Sequence, residues 1–151
     1  MGPEEDEEFM IELKRLPDWR ARMTAAIDIV KRRSFDWRQC DCVSGLAAPM
    51  VTAVTGVDLF AEHGDKYADA ESGYRLLQQL GFADLADLAG SFLPEYEHPS
   101  RASTGDIAAI AVPTRFKHAL GVISGDRIFV LSETGFGTVD LLTAARAFKV
   151  G

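Results

Sequence analysis

Apolar residues recur at helical spacing through the first half of the chain, and the last third breaks into short β-compatible runs separated by turns. Trp19, Met23, Ile27 and Val30 follow Pro17-Asp18, with Arg20, Arg22, Lys31 and Arg32 elsewhere on the same stretch. That pattern predicts an amphipathic helix with one core face. Ser34 to Arg38 interrupts it and supplies Phe35 and Trp37 as large anchors. A second helix is expected from near Asp41, with Leu46, Met50 and Val54 inward and Gly56 at its C-terminal end. Pro49 lies inside that helix, removes a hydrogen bond, and predicts a kink or local break. A third helix runs from about Asp69 to Gly81, with Tyr74, Leu77 and Leu80 inward. A short helical piece over Asp84 to Ala89 follows. Gly90 to Gly105, with Pro94 and Pro99, reads as a surface loop or crossing segment.

Asp106 to Val112, His118 to Ser124 and Arg127 to Ser132 read as strands, and Gly125-Asp126 as a hairpin turn. Phe136 to Val139 and Ala147 to Val150 add two short strands. Helices first and strands later predict an α+β fold, with N-terminal helices packed on a small antiparallel sheet.

The 151 residues suit one domain, and a hydrophobic share of 47% is enough for a core. The net charge of −7, with no basic stripe to offset it, argues against nucleic acid as a partner. Much of the acid sits in Glu4, Glu5, Asp6, Glu7 and Glu8, which predicts a solvated, flexible arm over residues 1–15 ahead of a domain over 16–151. No apolar run approaches the roughly 18 residues that cross a bilayer, so membrane insertion is not expected. No basic region precedes an apolar stretch as a secretory signal would require. Cys40 and Cys42 are too close for an easy disulfide, and two ligands alone do not make a zinc site. No metal and no cofactor is expected, and synthesis is expected in a reducing cytoplasm.

Two residues are candidates for chemistry. Cys42 opens the second helix, where the positive end of the helix dipole favours a thiolate and the charge of Asp41 opposes it. His118 opens a strand, and alternation puts it on one face with Leu120 and Val122. Together they would make a nucleophile and base. The structural alternatives are a small buried hydrophobe at Cys42, a helix cap at Asp41 and a surface histidine at 118. His63 and His98 lie in loops and are assigned no role.

Phe35-Asp36-Trp37, Asp41-Cys42-Val43-Ser44-Gly45-Leu46, Gly105-Asp106-Ile107 and His118-Ala119-Leu120-Gly121-Val122-Ile123 occur in this order. The set resembles the NlpC-type cell-wall endopeptidases, compact members of the papain-like cysteine peptidase superfamily. From Trp19 to Gly151 the chain also resembles a small phage and prophage family of that superfamily, encoded among tail-tip genes. The resemblance implies a papain-like NlpC-type fold for residues 16–151, Cys42 as nucleophile and His118 as general base. In that family a polar partner for the base comes from the next strand; here Ile128-Phe129-Val130-Leu131 is apolar throughout, leaving Ser132 or Glu133 nearest. The implied function is a phage tail-tip component that cleaves peptidoglycan during genome delivery. The alternative is a catalytically inactive assembly protein bound to the tail hub. The implied partners are tail-tip or hub proteins and peptidoglycan, and the implied location is the virion tail after synthesis in the host cytoplasm. An ordinary hydrolase of a small amide would use the same pair.

Overall fold

Helix α1 (Trp19–Arg32) forms where the spacing predicts it. Met23, Ile27 and Val30 are buried, and Lys31 and Arg32 occupy the last turn, at the negative end of the helix dipole. The computed structural model describes residues 13–35, 41–60, 67 and 69–151. The expected anchor Trp37 and the acidic run at 4–8 lie outside them.

The second helix is not uniform. Cys42–Ala47 is a π-helical turn that passes directly into α2 (Ala48–Thr55). Pro49 supplies the reason for the break: it has no N–H to offer the carbonyl of Gly45, and its ring would crowd that carbonyl in an α-helix. A wider turn before it removes the conflict. Gly56 closes α2 with φ 79°, a left-handed conformation that glycine adopts without strain.

Helix α3 (Ala70–Gln79) starts in a capping box, in which Asp69 accepts from the Ser72 N–H and Ser72 Oγ accepts from the Asp69 N–H. Asp84 caps α4 (Leu85–Phe92), accepting the Asp87 N–H at 2.8 Å. Helix α4 continues through Gly90, where the sequence predicts a loop. A Cβ at Gly90 would lie 3.4 Å from the Phe148 ring, so glycine lets the helix sit close to the sheet.

The strands are β1 (Ile107–Ala111), β2 (His118–Ser124), β3 (Arg127–Ser132), β4 (Gly135–Asp140) and β5 (Ala144–Phe148). They form one antiparallel sheet in the order β4-β3-β2-β1-β5. The α+β class with helices on an antiparallel sheet is therefore the observed architecture. Strand β5 begins three residues before the expected Ala147. Ala144, Ala145 and Arg146 carry no β-branched signal, and pairing with β1 recruits them. Arg146 is also held by Glu95 at 2.7 and 2.9 Å.

The sheet is covered on both faces. Ile107, Leu120, Val122 and Phe148 join the helices in the main core. Ala108, Ile123, Ile128 and Ala147 form a smaller core under Tyr96 and Ala102 of the crossing segment. Burial on both sides explains why β2 is apolar almost throughout. Among the described residues no helix is long and apolar enough to cross a membrane.

Asp106 is fully buried and joins distant parts of the chain. Its Oδ1 accepts from Arg15 Nη2 and from the Val150 N–H, both at 3.0 Å. Its Oδ2 accepts from the Tyr96 hydroxyl at 2.8 Å and the Ser103 N–H at 2.9 Å. Arg15 also donates to the carbonyls of Val150 and Thr104, each at 2.8 Å. Arg15, at the inner end of the expected arm, is bound to the domain, and its guanidinium neutralises a buried carboxylate.

Replacing Asp106 leaves four donors without their acceptor. Asp106→Ala is expected to lower stability by about 2–4 kcal/mol, measured as a fall in the urea midpoint at unchanged slope. Asp18→Ala removes an exposed pair with Arg22 and is expected to leave that midpoint within error.

Candidate active site

The site is built from the turn that starts at Asp41. Asp41 is 3% exposed. Its Oδ1 accepts the Val43 N–H at 2.9 Å, and its backbone carbonyl accepts the Gly45 N–H at 2.9 Å. The Tyr67 hydroxyl donates to Oδ2. Asp41 is therefore the cap of the π-helical turn, and both of its carboxylate oxygens are engaged.

Cys42 follows, and its turn packs on β2 and β3. The Leu120 backbone N–H of β2 is directed at the Cys42 sulfur. Burial pushes the thiol up to about 12, and the Asp41 charge adds to the shift. The Leu120 N–H and the residue's own amide pull the other way with less effect. The sequence set the helix dipole, which favours a thiolate, against Asp41. In the folded chain burial and Asp41 prevail, and the resting group is a thiol. The Val43 N–H, part of the positive end of the turn, is occupied by Asp41. Arg38 and Cys40 lie outside the described residues.

His118 opens β2, paired with Ala111 of β1. Alternation puts it on the same face as Leu120 and Val122, the face covered by the helices. Cys42 packs against that same main core. Its thiol meets the Leu120 N–H, and His118 stands two residues before Leu120, a Cα spacing of roughly 7 Å. The imidazole is 17% exposed, and its Nδ1 is buried without a hydrogen-bond partner among the described residues. Asp84 Oδ2 lies 3.6 Å from that nitrogen.

The turn ahead of His118 is tightly held. Val112 N–H donates to Lys117 O at 3.0 Å, and Lys117 takes φ 63°, which is uncommon for a residue with a side chain. The Leu85 N–H donates to Phe116 O at 3.3 Å, joining the start of α4 to this hairpin. Phe116 meets Tyr74 of α3 edge-on at 5.8 Å.

A narrow cavity of about 40 Å³ lies beside Cys42, bounded by Phe60, Tyr67, Leu76, Leu80, Leu85 and Phe116. It holds a few waters at most. Ser132, one stand-in partner expected for the imidazole, is exposed and bonds Thr134 at 2.7 Å. Glu133 is exposed. His98 caps its own short 3₁₀ turn by accepting the Ser100 N–H at 3.1 Å. His63 lies outside the described residues. Among the described residues no group of three or more His, Cys, Asp or Glu is placed to hold a metal ion.

The carboxylate that approaches His118 is one that the sequence marked only as a helix start. Asp before an apolar helical run signals a cap, and nothing in that signal shows what the second oxygen faces.

The chain belongs to the family described as Domain of unknown function (DUF6950), whose model matches residues 14–150. No curated protein and no solved structure matches it.

The raised thiol has two measurable effects. Iodoacetamide modification of Cys42, followed by peptide mass spectrometry, is expected to speed up about tenfold per pH unit from pH 8 to 11 with no plateau near neutrality. Because the folded thiol binds its proton more tightly than an ordinary exposed cysteine, its contribution to stability is complete below pH 9. It is lost as pH rises toward about 12. Cys42→Ala is expected to flatten that alkaline decline in unfolding midpoint.

Proposed function

We propose that the protein is a tail-tip component of a phage or phage-derived particle, carrying a papain-like, NlpC-type thiol hydrolase directed at peptidoglycan amides. The support for the particle is the resemblance that runs from Trp19 to Gly151. The support for the chemistry is one observation: the Cys42 sulfur meets the Leu120 N–H of β2, and His118 stands two residues earlier on that strand with a carboxylate oxygen 3.6 Å from its ring.

The reaction follows from a neutral resting thiol. As Cys42 Sγ attacks the amide carbonyl carbon, its proton passes to the His118 imidazole, so proton transfer accompanies attack instead of preceding it. The new oxyanion forms near the Cys42 N–H, which lies close to its own sulfur. The imidazolium returns the proton to the leaving amine as the C–N bond breaks. Water then hydrolyses the thioester and restores the thiol. The small apolar cavity beside the sulfur suits a methyl-sized group, such as an alanine side chain next to the scissile bond.

A second reading is a non-catalytic assembly component bound to the tail hub. The thiol held up to about 12 and the roughly 40 Å³ of space beside it favour that reading.

Purified full-length protein, Cys42→Ala and His118→Ala are each incubated with peptidoglycan, and released amines and muropeptides are quantified. The hydrolase reading expects release by the wild type and at least a 10³-fold fall in both variants. Equal background release from all three favours the assembly reading.

A further inference from the structure

The hydrolase reading lacks a group to hold the imidazole, and the strand expected to supply one is apolar. The structure offers a carboxylate from a different element. Among the described residues His118 Nδ1 is buried with no hydrogen-bond partner, and a buried ring nitrogen in that state needs either an acceptor or a donor. Asp84 Oδ2 stands 3.6 Å away. Asp84 is itself fixed: its Oδ1 accepts the Asp87 N–H at 2.8 Å, which turns Oδ2 away from the helix and toward β2. Its side chain is 13% exposed, so little water competes for that oxygen. The Leu85 N–H bond to Phe116 O ties the start of α4 to the hairpin that carries His118, which sets the spacing of the two groups.

The other charged groups on the elements meeting here are otherwise engaged. Asp87 bonds Arg146 at 3.2 Å, Arg115 lies over the Tyr74 ring, and Asp41 is bound by Val43 and Tyr67. Lys117 is next in sequence to His118 but offers only donors.

We propose that Asp84 is the positioning residue of this site: one carboxylate oxygen caps α4, and the other holds the proton on His118 Nδ1. The consequence is a defined tautomer. An acceptor at Nδ1 keeps the proton there, and Nε2 becomes the basic nitrogen. The contact of 3.6 Å is longer than a direct hydrogen bond and closes with a small rotation of either side chain. Catalytic contacts are often looser before substrate binds. The inference rests on the hydrolase reading for its catalytic meaning, and on the geometry alone for the tautomer.

The test uses the full chain labelled with ¹⁵N, with the His118 ring signals assigned by loss in His118→Gln. At pH 8 the wild type is expected to show mainly the Nδ1–H form. Asp84→Ser keeps a good helix cap but is too short to reach the ring, and is expected to shift His118 to mainly the Nε2–H form. Asp84→Asn has a single oxygen; with that oxygen on the Asp87 N–H its NH2 faces Nδ1, and it is expected to shift His118 toward the Nε2–H form as Asp84→Ser does. A folded Asp84→Ser protein with an unchanged tautomer overturns the proposal. So does a wild type that is already mainly Nε2–H, a result that needs no variant to fold. On peptidoglycan, Asp84→Ser is expected to lose roughly 10²- to 10⁴-fold in kcat/KM. If the tautomer shifts as expected while wild type and Cys42→Ala are equally inert, Asp84 keeps its role at the ring and the hydrolase reading falls. If hydrolysis depends on Cys42 but the tautomer ignores Asp84, the hydrolase reading stands and this inference falls.

Discussion

One buried carboxylate determines where the sheet begins. Asp106 sits at the start of β1 and gathers Arg15, Tyr96, Ser103 and Val150 around its two oxygens. Four donors satisfy the charge in a place that water does not reach, and they come from three separate stretches of chain. The position of β1 then fixes its two neighbours, since β2 and β5 pair with it on either side. His118 faces Ala111 across that pairing. The geometry of the candidate site is thus inherited from an ion pair that takes no part in it.

The site repeats one device. Asp41 and Asp84 are both helix caps, and each turns its second oxygen inward, Asp41 to the Tyr67 hydroxyl and Asp84 to the His118 ring. A cap is a well-fixed carboxylate, because a backbone N–H limits its rotation. The two have opposite consequences for the chemistry. Asp41 adds to the burial that keeps Cys42 protonated, whereas Asp84 approaches the group that would take the proton. A thiol in this setting is stable and slow to react until a base engages it.

Much of the fold was legible because its signals are local. Trp19 to Val30 follow helical spacing, Asp69 and Asp84 stand before helices, and β2 and β3 begin and end where alternation places them. The π-helical turn was visible only as a warning from Pro49, since the sequence does not say how a helix accommodates a proline. Arg15 was hidden beside an acidic run, and its role requires Asp106, 91 residues away. At the site, Cys42 and His118 could be named from the resemblance, but the state of the thiol depends on burial that no local pattern reveals. Asp84 was read as the start of a short helical piece and nothing more, because its approach to His118 links α4 to a strand 34 positions later and exists only after folding.

Arg15 donates to the carbonyl of Val150, and a Cβ on Gly151 would press against the Arg15 backbone at 2.9 Å. The first and last stretches of the domain therefore leave from a single corner. A fusion partner joined beside Arg15 or beside Val150, or a short peptide bridge between the two, would meet the same small patch of surface.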